Sequence, residues 1–312
     1  MIQPRLPGRP LKVGVQLPEV ERDVRWPEYL NLARRAEELG YDSLWYGDHL
    51  LYRRPGDPEP RGPWECWTML AALAAATSRV ELGPLVASTS FHAPAMLAKK
   101  AATVDEISGG RLVLGLGAGW NETEYRAFGF PFDHRISRFE EAFTIIRTLL
   151  RDGAIDFEGR YYTVRDCELR PRSSRPGGPP ILLGSNGDRM LAIGAPYIDS
   201  WNSWFADTGN RPEGVAPLRA KVDAAARAAG RDPAAIERTV AVLVRLTGGQ
   251  GRVQGDFAQR ESPALEGDPE TLAAGLRAYA REGIGHVQLV LDPISLASLE
   301  EFAPVLERLD RV

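Results

Sequence analysis

Short apolar runs alternate with longer amphipathic stretches along the whole chain, and nothing else in the sequence limits the fold as much. "LKVGVQL" (11–17) reads as a buried strand and "WPEYLNLARRAEELG" (26–40) as the helix after it, with Pro27 early and Gly40 ending it. "YDSLWYG" (41–47) is a second strand, and "PWECWTMLAALAAAT" (63–77) a second helix beyond a Pro/Gly-rich loop at 55–63. "RVELGPLVA" (79–87) and "APAMLAKKAATVDEISGG" (93–110) form the third pair, "RLVLGLG" (111–117) and "RISRFEEAFTIIRTLLRDG" (135–153) the fourth. The rhythm breaks at 154–164, a hairpin turning at Glu158-Gly159, and at the Pro/Arg-rich loop 170–180. It resumes with strands at 180–184, 197–202, 239–246 and 286–291 and helices at 187–195, 212–229, 268–283 and 295–309.

Strands separated by helical crossovers pair in parallel. Eight such units in 312 residues favour a closed (β/α)8 TIM barrel over an open doubly wound sheet. The expectation is one domain spanning 1–312, with insertions at about 154–180 and at a polar stretch, 247–262.

Charge and cysteine usage narrow the function. Lys plus Arg number 38 against 42 Asp plus Glu, a net charge of −4, so bulk charge points to no nucleic acid or membrane surface. Cys66 and Cys167 stand far apart with no CxxC, which gives neither a disulfide framework nor a zinc knuckle. The N-terminal stretch lacks the apolar core of a signal peptide, and "TMLAALAAAT" is too short to span a bilayer. A soluble cytoplasmic protein is expected.

A barrel of this kind keeps its active site at the C-terminal ends of the strands. That rim carries Gln16, Gly47-Asp48-His49, "ASTSFHAP", "GAGWNETEY", "GSNGD" and "WNSW". It has no HExxH, no metal-ligand spacing, no GxSxG and no strand-end lysine. "GSNGDR" (184–189) leaves a strand and opens a helix, so its free N–H groups suit a phosphate, or Ser185 and Asn186 merely cap a turn. "GLGAGW" (115–120) does not match the dinucleotide fingerprint. Its glycines let a flat ring approach the backbone, or serve tight barrel packing. His49 is the candidate acid–base group, against the plainer reading of a buried rim histidine. Trp64, Trp120 and Trp201 are candidates for an apolar substrate pocket, though aromatics fill cores more often than sites.

Taken in order, "LKVGVQLP", "AEELGYDSLWYGDHL", "PAMLAKKAATVDEISGGRLVLGLGAGWNETEYRAFGFPF", "PPILLGSNG" and "YIDSWN" closely resemble the bacterial luciferase-like flavin and deazaflavin oxidoreductases. The likeness is densest from 36 to 132. It implies a modified TIM barrel binding coenzyme F420 or FMN, and "GDHL" with "GAGWNETEYRAFG" looks most like the deazaflavin branch. On that likeness Asp48 holds the polar edge of the cofactor and His49 lies by its reactive carbon. A non-prolyl cis peptide behind the ring maps near Leu85-Val86. Gly117, Ala118 and Gly119 map beside the cofactor, and Gly184, Ser185, Asn186 and Gly187 onto a phosphate loop. Where some sugar-phosphate dehydrogenases of the family carry a catalytic Glu, this chain has Trp120, which argues for a flatter, more apolar substrate.

The expectation is therefore hydride transfer between F420 and a small organic substrate. The alternatives are an FMN-dependent monooxygenase fed by a partner reductase, or a non-catalytic flavin-binding barrel. A flavin or F420 reductase partner and a homodimer complete the picture, with no nucleic acid and no membrane. Arg170, Arg172 and Arg175, in the loop before strand five, are candidates for the anionic tail of F420.

Overall fold

The computed structural model describes residues 8–53, 59–251 and 262–311. Most of the expected polar insertion at 247–262, and part of the loop at 55–63, lie outside them. Eight parallel staves make the barrel: β1 (Lys12–Gln16), β2 (Ser43–Tyr46), β3 with β4 (Glu81–Pro84, Ala87–Ser88), β5 (Leu114–Gly117), β8 (Ile181–Gly184), β9 (Ser200–Ser203), β10 (Glu237–Arg245) and β11 (His286–Asp292). The sheet runs β3-β2-β1-β11-β10-β9-β8-β5-β4. Leu82 bridges Leu112 just before β5, donating to Arg111 O and accepting from Val113 N, so the ends of the sheet meet.

Helices α1 (Trp26–Glu38), α2 (Cys66–Ala76), α3 (Pro94–Ile107), α5 (Arg135–Asp152), α6 (Asp188–Gly194), α7 (Val215–Ala228), α8 (Pro269–Arg281) and α9 (Leu296–Leu309) form the outer layer. The hairpin appears as β6 (Ala154–Glu158) and β7 (Thr163–Glu168), paired antiparallel. Its turn is held by Glu141, which accepts from the N–H groups of Arg160, Tyr161 and Tyr162. None of the described helices is long and apolar enough to cross a membrane.

One expected feature and one departure from the sequence reading shape the rim. The third stave is interrupted at a cis Leu85–Val86 peptide, where the family resemblance places one, and this parts β3 from β4. The stretch after β5, read from sequence as a rim loop, contains a helix, α4 (Glu122–Phe128), ended by Gly129 in the left-handed region. A smaller difference is that the sixth stave starts at Ser200, because Tyr197 and Ile198 donate to Gly194 O and close α6 instead.

Six staves begin with a polar residue: Lys12, Ser43, Glu81, Ser200, Glu237 and His286. Together they give the N-terminal end of the barrel a polar base. There Lys12 Nζ lies 2.8 Å from Glu81 and 3.9 Å from Glu237. Trp45 Nε1 donates to Ser43 Oγ at 2.7 Å, and that oxygen lies 2.7 Å from His286 Nε2. Two residues further along, Asn202 Nδ2 donates to Thr239 and Gln288. The interior is thus packed and cross-linked below the mouth, and the open end alone is left for a ligand.

Burial, reinforced by the nearby Lys12 charge, pushes the His286 ring well below its ordinary pKa. The unfolded chain takes up a proton below about pH 6.5 that the folded chain refuses, so stability falls as pH falls. Wild type should lose up to about 1.4 kcal/mol per pH unit more than His286→Gln below that point. Urea unfolding of both proteins at about pH 7 and pH 5 measures it; identical pH slopes would refute it.

Candidate active site

The barrel mouth opens into a cavity of about 540 Å³. Asp48 and His49 enter it from β2, Leu85 and Val86 from the interruption of the third stave, and Gly117 to Trp120 from the end of β5. Gly184 to Gly187 close the far side. Two expected pocket residues stand elsewhere. Trp64 is half exposed, donates to Val24 O, and lines a separate cleft of about 240 Å³. Trp201 is buried and donates to Ser185 O at 2.8 Å, so it braces the 184–187 loop from behind.

The floor explains the glycines. A Cβ on Gly117 would come within 2.7 Å of Val86, and one on Gly184 within 2.8 Å of both Val86 methyls. The two missing side chains therefore make a slot for Val86, which with Leu85 forms an apolar platform facing the cavity. Of the two readings of "GLGAGW", packing accounts for Gly117.

Above this platform stand two imidazole–carboxylate pairs. Asp48 Oδ2 accepts from Ser88 N at 2.9 Å and lies 2.8 Å from His92 Nε2. The side chain expected to hold the cofactor thus also ties β2 to β4 and to the start of α3. His49 Nδ1 lies 2.9 Å from Glu124 Oε1, and Glu124 Oε2 accepts from Leu50 N at 2.8 Å. Burial opposes charge on the His49 ring, but the bond to Glu124 and the charges of Glu124, Glu19 and Asp48 outweigh it. The pKa accordingly lies above the ordinary histidine value. Glu19 accepts from Gly47 N at 2.7 Å and from Gln16, and so fixes the turn that presents Asp48.

At the other end, Arg135 is the only lysine or arginine among the described residues lining the cavity. Its guanidinium stacks 4.1 Å over Phe132 and donates to Gly119 O at 2.6 Å. Across from it, Asn186 Nδ2 donates to Ser203 and Asp207, while its buried Oδ1 has no hydrogen-bond partner. The arginines expected at an anionic tail are engaged elsewhere. Arg172 donates to the carbonyls of Arg151 and Asp152, Arg175 pairs with buried Asp105, and Arg170 pairs with Glu168.

Sequence reasoning missed Glu124, Glu19 and Arg135. Only Glu124 carried a local signal, the N-x-x-E spacing of Asn121 and Glu124 ahead of a helix.

A model of the luciferase-like monooxygenases matches residues 11–248. The chain belongs to that family. Curated luciferase-like relatives include the pyrimidine monooxygenase RutA of Cronobacter sakazakii, 36% identical over 173 residues, covering 54% of this chain and 50% of the relative. The Escherichia coli counterpart is 36% identical over the same length, with 44% of that protein covered. The chain thus spans about half the length of the curated relatives it matches. Among solved structures, an F420-dependent secondary alcohol dehydrogenase superposes with a TM-score of 0.79 at 20% identity, over 96% of this chain and 99% of that one. The monooxygenase RslO1 of Streptomyces bottropensis gives 0.75 at 24% identity, with the same coverages. These structures share the luciferase-like barrel.

If Val86 fills the slot left by the glycines, Gly117→Ala should destabilise the protein by about 1–3 kcal/mol, the usual cost of overpacking. In a Val86→Ala background most of that cost should vanish. Denaturant midpoints of the four proteins in this cycle provide the check; an undiminished cost in the double variant would show that something else occupies the slot.

Proposed function

We propose that the chain is a monooxygenase that uses reduced FMN supplied by a partner flavin reductase and acts on a small, flat organic substrate. One observation carries the choice: among the described residues, Arg135 is the one lysine or arginine in a cavity that the Ser185–Gly187 loop also lines. One charge beside a strand-to-helix turn of small polar residues suits one phosphate group. The 36% identity to pyrimidine monooxygenases over 173 residues supports the same reading.

The residues present fit such a cofactor. The Val86–Leu85 platform takes a flat ring, Arg135 with Ser185 and Gly187 takes a phosphate, and the unpaired Asn186 Oδ1 is left to accept from a hydroxyl on the chain between them. Reduced FMN, when bound, supplies the electrons that let dioxygen react with an organic substrate. The chain supplies orientation and a proton. His49, whose pKa is raised above the ordinary histidine value by Glu124, Glu19 and Asp48, stands between Tyr52 and Trp120, at 4.8 and 5.5 Å between ring centroids. A substrate seated against those rings would meet the imidazolium edge, and His49 would act as general acid.

The resemblance of Asp48-His49 and the 117–130 stretch to the deazaflavin branch supports a second reading, hydride transfer with F420. Tryptophan fluorescence titrations with FMN, riboflavin and F420 decide between them. FMN should bind at least tenfold tighter than riboflavin, a difference of ~1.4 kcal/mol. Arg135→Ala and Gly187→Asp should each abolish that preference. Tighter binding of F420 than of FMN, with no oxygen consumed in turnover, would move the assignment to the second reading.

His49→Ala should keep cofactor affinity within a few-fold and lower single-turnover rates by about 10²–10⁴. A full rate in that variant would remove the histidine from the chemistry.

A further inference from the structure

The N-terminal turn of α4 is built in an unexpected way. Asn121 and Glu124 stand at the N-cap and N3 positions, the N-x-x-E spacing at which two side chains ordinarily satisfy the first N–H groups of a helix. Here Asn121 makes no side-chain cap bond. Its amide donates to Leu51 O at 3.1 Å and to the Glu124 carboxylate. Glu124 is fully buried and points the same way, with one oxygen on the His49 ring and the other on Leu50 N. Trp120, just ahead, packs edge-on against His49. The turn has given up its own cap to grip residues 49–51.

Both oxygens of the buried carboxylate are engaged, one by Leu50 N and the other by Asn121 and the His49 ring. Its bond to Nδ1 requires that nitrogen to carry a hydrogen, since an ionised carboxylate only accepts. Nε2 has no hydrogen-bond partner among the described residues, and His49 lines the cavity. We propose that Glu124 is the positioning residue of this enzyme: its buried carboxylate fixes the tautomer and orientation of His49 and favours the charged form of the ring, with Nε2 presented to the cavity as the proton donor. The part played by His49 in turnover rests on the function proposed above. The hold of Glu124 on the ring does not.

The other charged and titratable groups around the ring are Glu19 from the turn after β1, adjacent Asp48 with its partner His92, Tyr52 in the same segment, and Arg135 across the cavity. Glu19 and Asp48 also favour the charged ring, as its raised pKa reflects. Glu124 differs in bonding the ring directly. Replacing it by Gln keeps a hydrogen-bonding side chain of the same length and removes the charge. The His49 pKa then falls, and the acid form is lost at lower pH.

The test is nitrogen-detected NMR of the histidine rings in the whole protein without cofactor, titrated from about pH 5 to pH 9. The chain has four histidines, so the His49→Gln spectrum assigns the resonance. Wild type should show His49 titrating above ~6.5, with the proton of the neutral form on Nδ1. In Glu124→Gln the midpoint should fall by at least one pH unit, a tenfold change in acidity. Glu124→Asp should recover part of the shift, and serves as the test if the Gln variant does not fold. An unchanged midpoint in a folded variant, or an Nε2–H tautomer in wild type, would overturn the proposal. In the loaded enzyme, the basic limb of the pH profile of kcat/KM should move down with the NMR midpoint in Glu124→Gln, while FMN affinity stays the same. A shifted midpoint with an unshifted profile would leave Glu124 as the ring's anchor and remove the general-acid role from His49.

Discussion

A carboxylate buried at the mouth of a barrel has to be met by donors, and this requirement organises the site. Asp48 and Glu124 are almost completely buried, and a charge taken out of water costs several kcal/mol unless its oxygens are satisfied. Each finds its partners on another element: Asp48 on Ser88 and His92, Glu124 on His49 and Leu50. The two acids therefore lock the ends of β2, β4 and α4 to one another. Removing either would leave buried donors unpaired at the rim, while the core below, sealed by its own layers, would be untouched. Rigidity at the mouth and stability of the barrel are thus supplied by different residues.

The platform follows a second constraint, the lack of space. Between Gly117 and Gly184 there is room for one branched side chain, and Val86 takes it. The interruption between β3 and β4 carries Val86 out of line with the stave and over those glycines. Bulk at either glycine and bulk at Val86 are mutually exclusive. The three residues act as one packing unit, although 98 positions separate the first from the last (184 − 86).

This explains which parts of the molecule were legible in the sequence. Staves and outer helices announce themselves by local periodicity, and all eight staves lie within a few residues of where the alternation puts them. Gly184 to Gly187 and Asp48-His49 were legible because they sit at strand ends, the position that function uses in this fold. The parts that escaped depend on partners distant in the chain. Glu124 looks like an ordinary helix cap until the barrel brings residue 49 beside it. Trp64 and Trp201 are as aromatic as Trp120, but only closure of the barrel decides which of them faces the cavity. The arginines of the 170–175 loop read as a patch of positive charge. In the fold they are bonded to the α5 terminus, to Asp105 and to Glu168.

The distribution of charge in the cavity gives the site a direction. Glu19, Asp48 and Glu124 cluster at the β2 side, while Asn186 of the 184–187 loop donates to Asp207, and Arg135 is the one lysine or arginine of the lining among the described residues. An anionic group is repelled by the three acids of the β2 side, so a ligand with a phosphate at one end and a neutral ring at the other would be disfavoured with its phosphate there. The same acids that set this polarity raise the His49 pKa, so orientation of the ligand and protonation of the ring have a common source. Salt would weaken the attraction to Arg135 more than the effect of Glu124 on His49, because screening acts least on buried, directly bonded pairs. Ligand capture should therefore depend on ionic strength where the proton equilibrium of the ring does not.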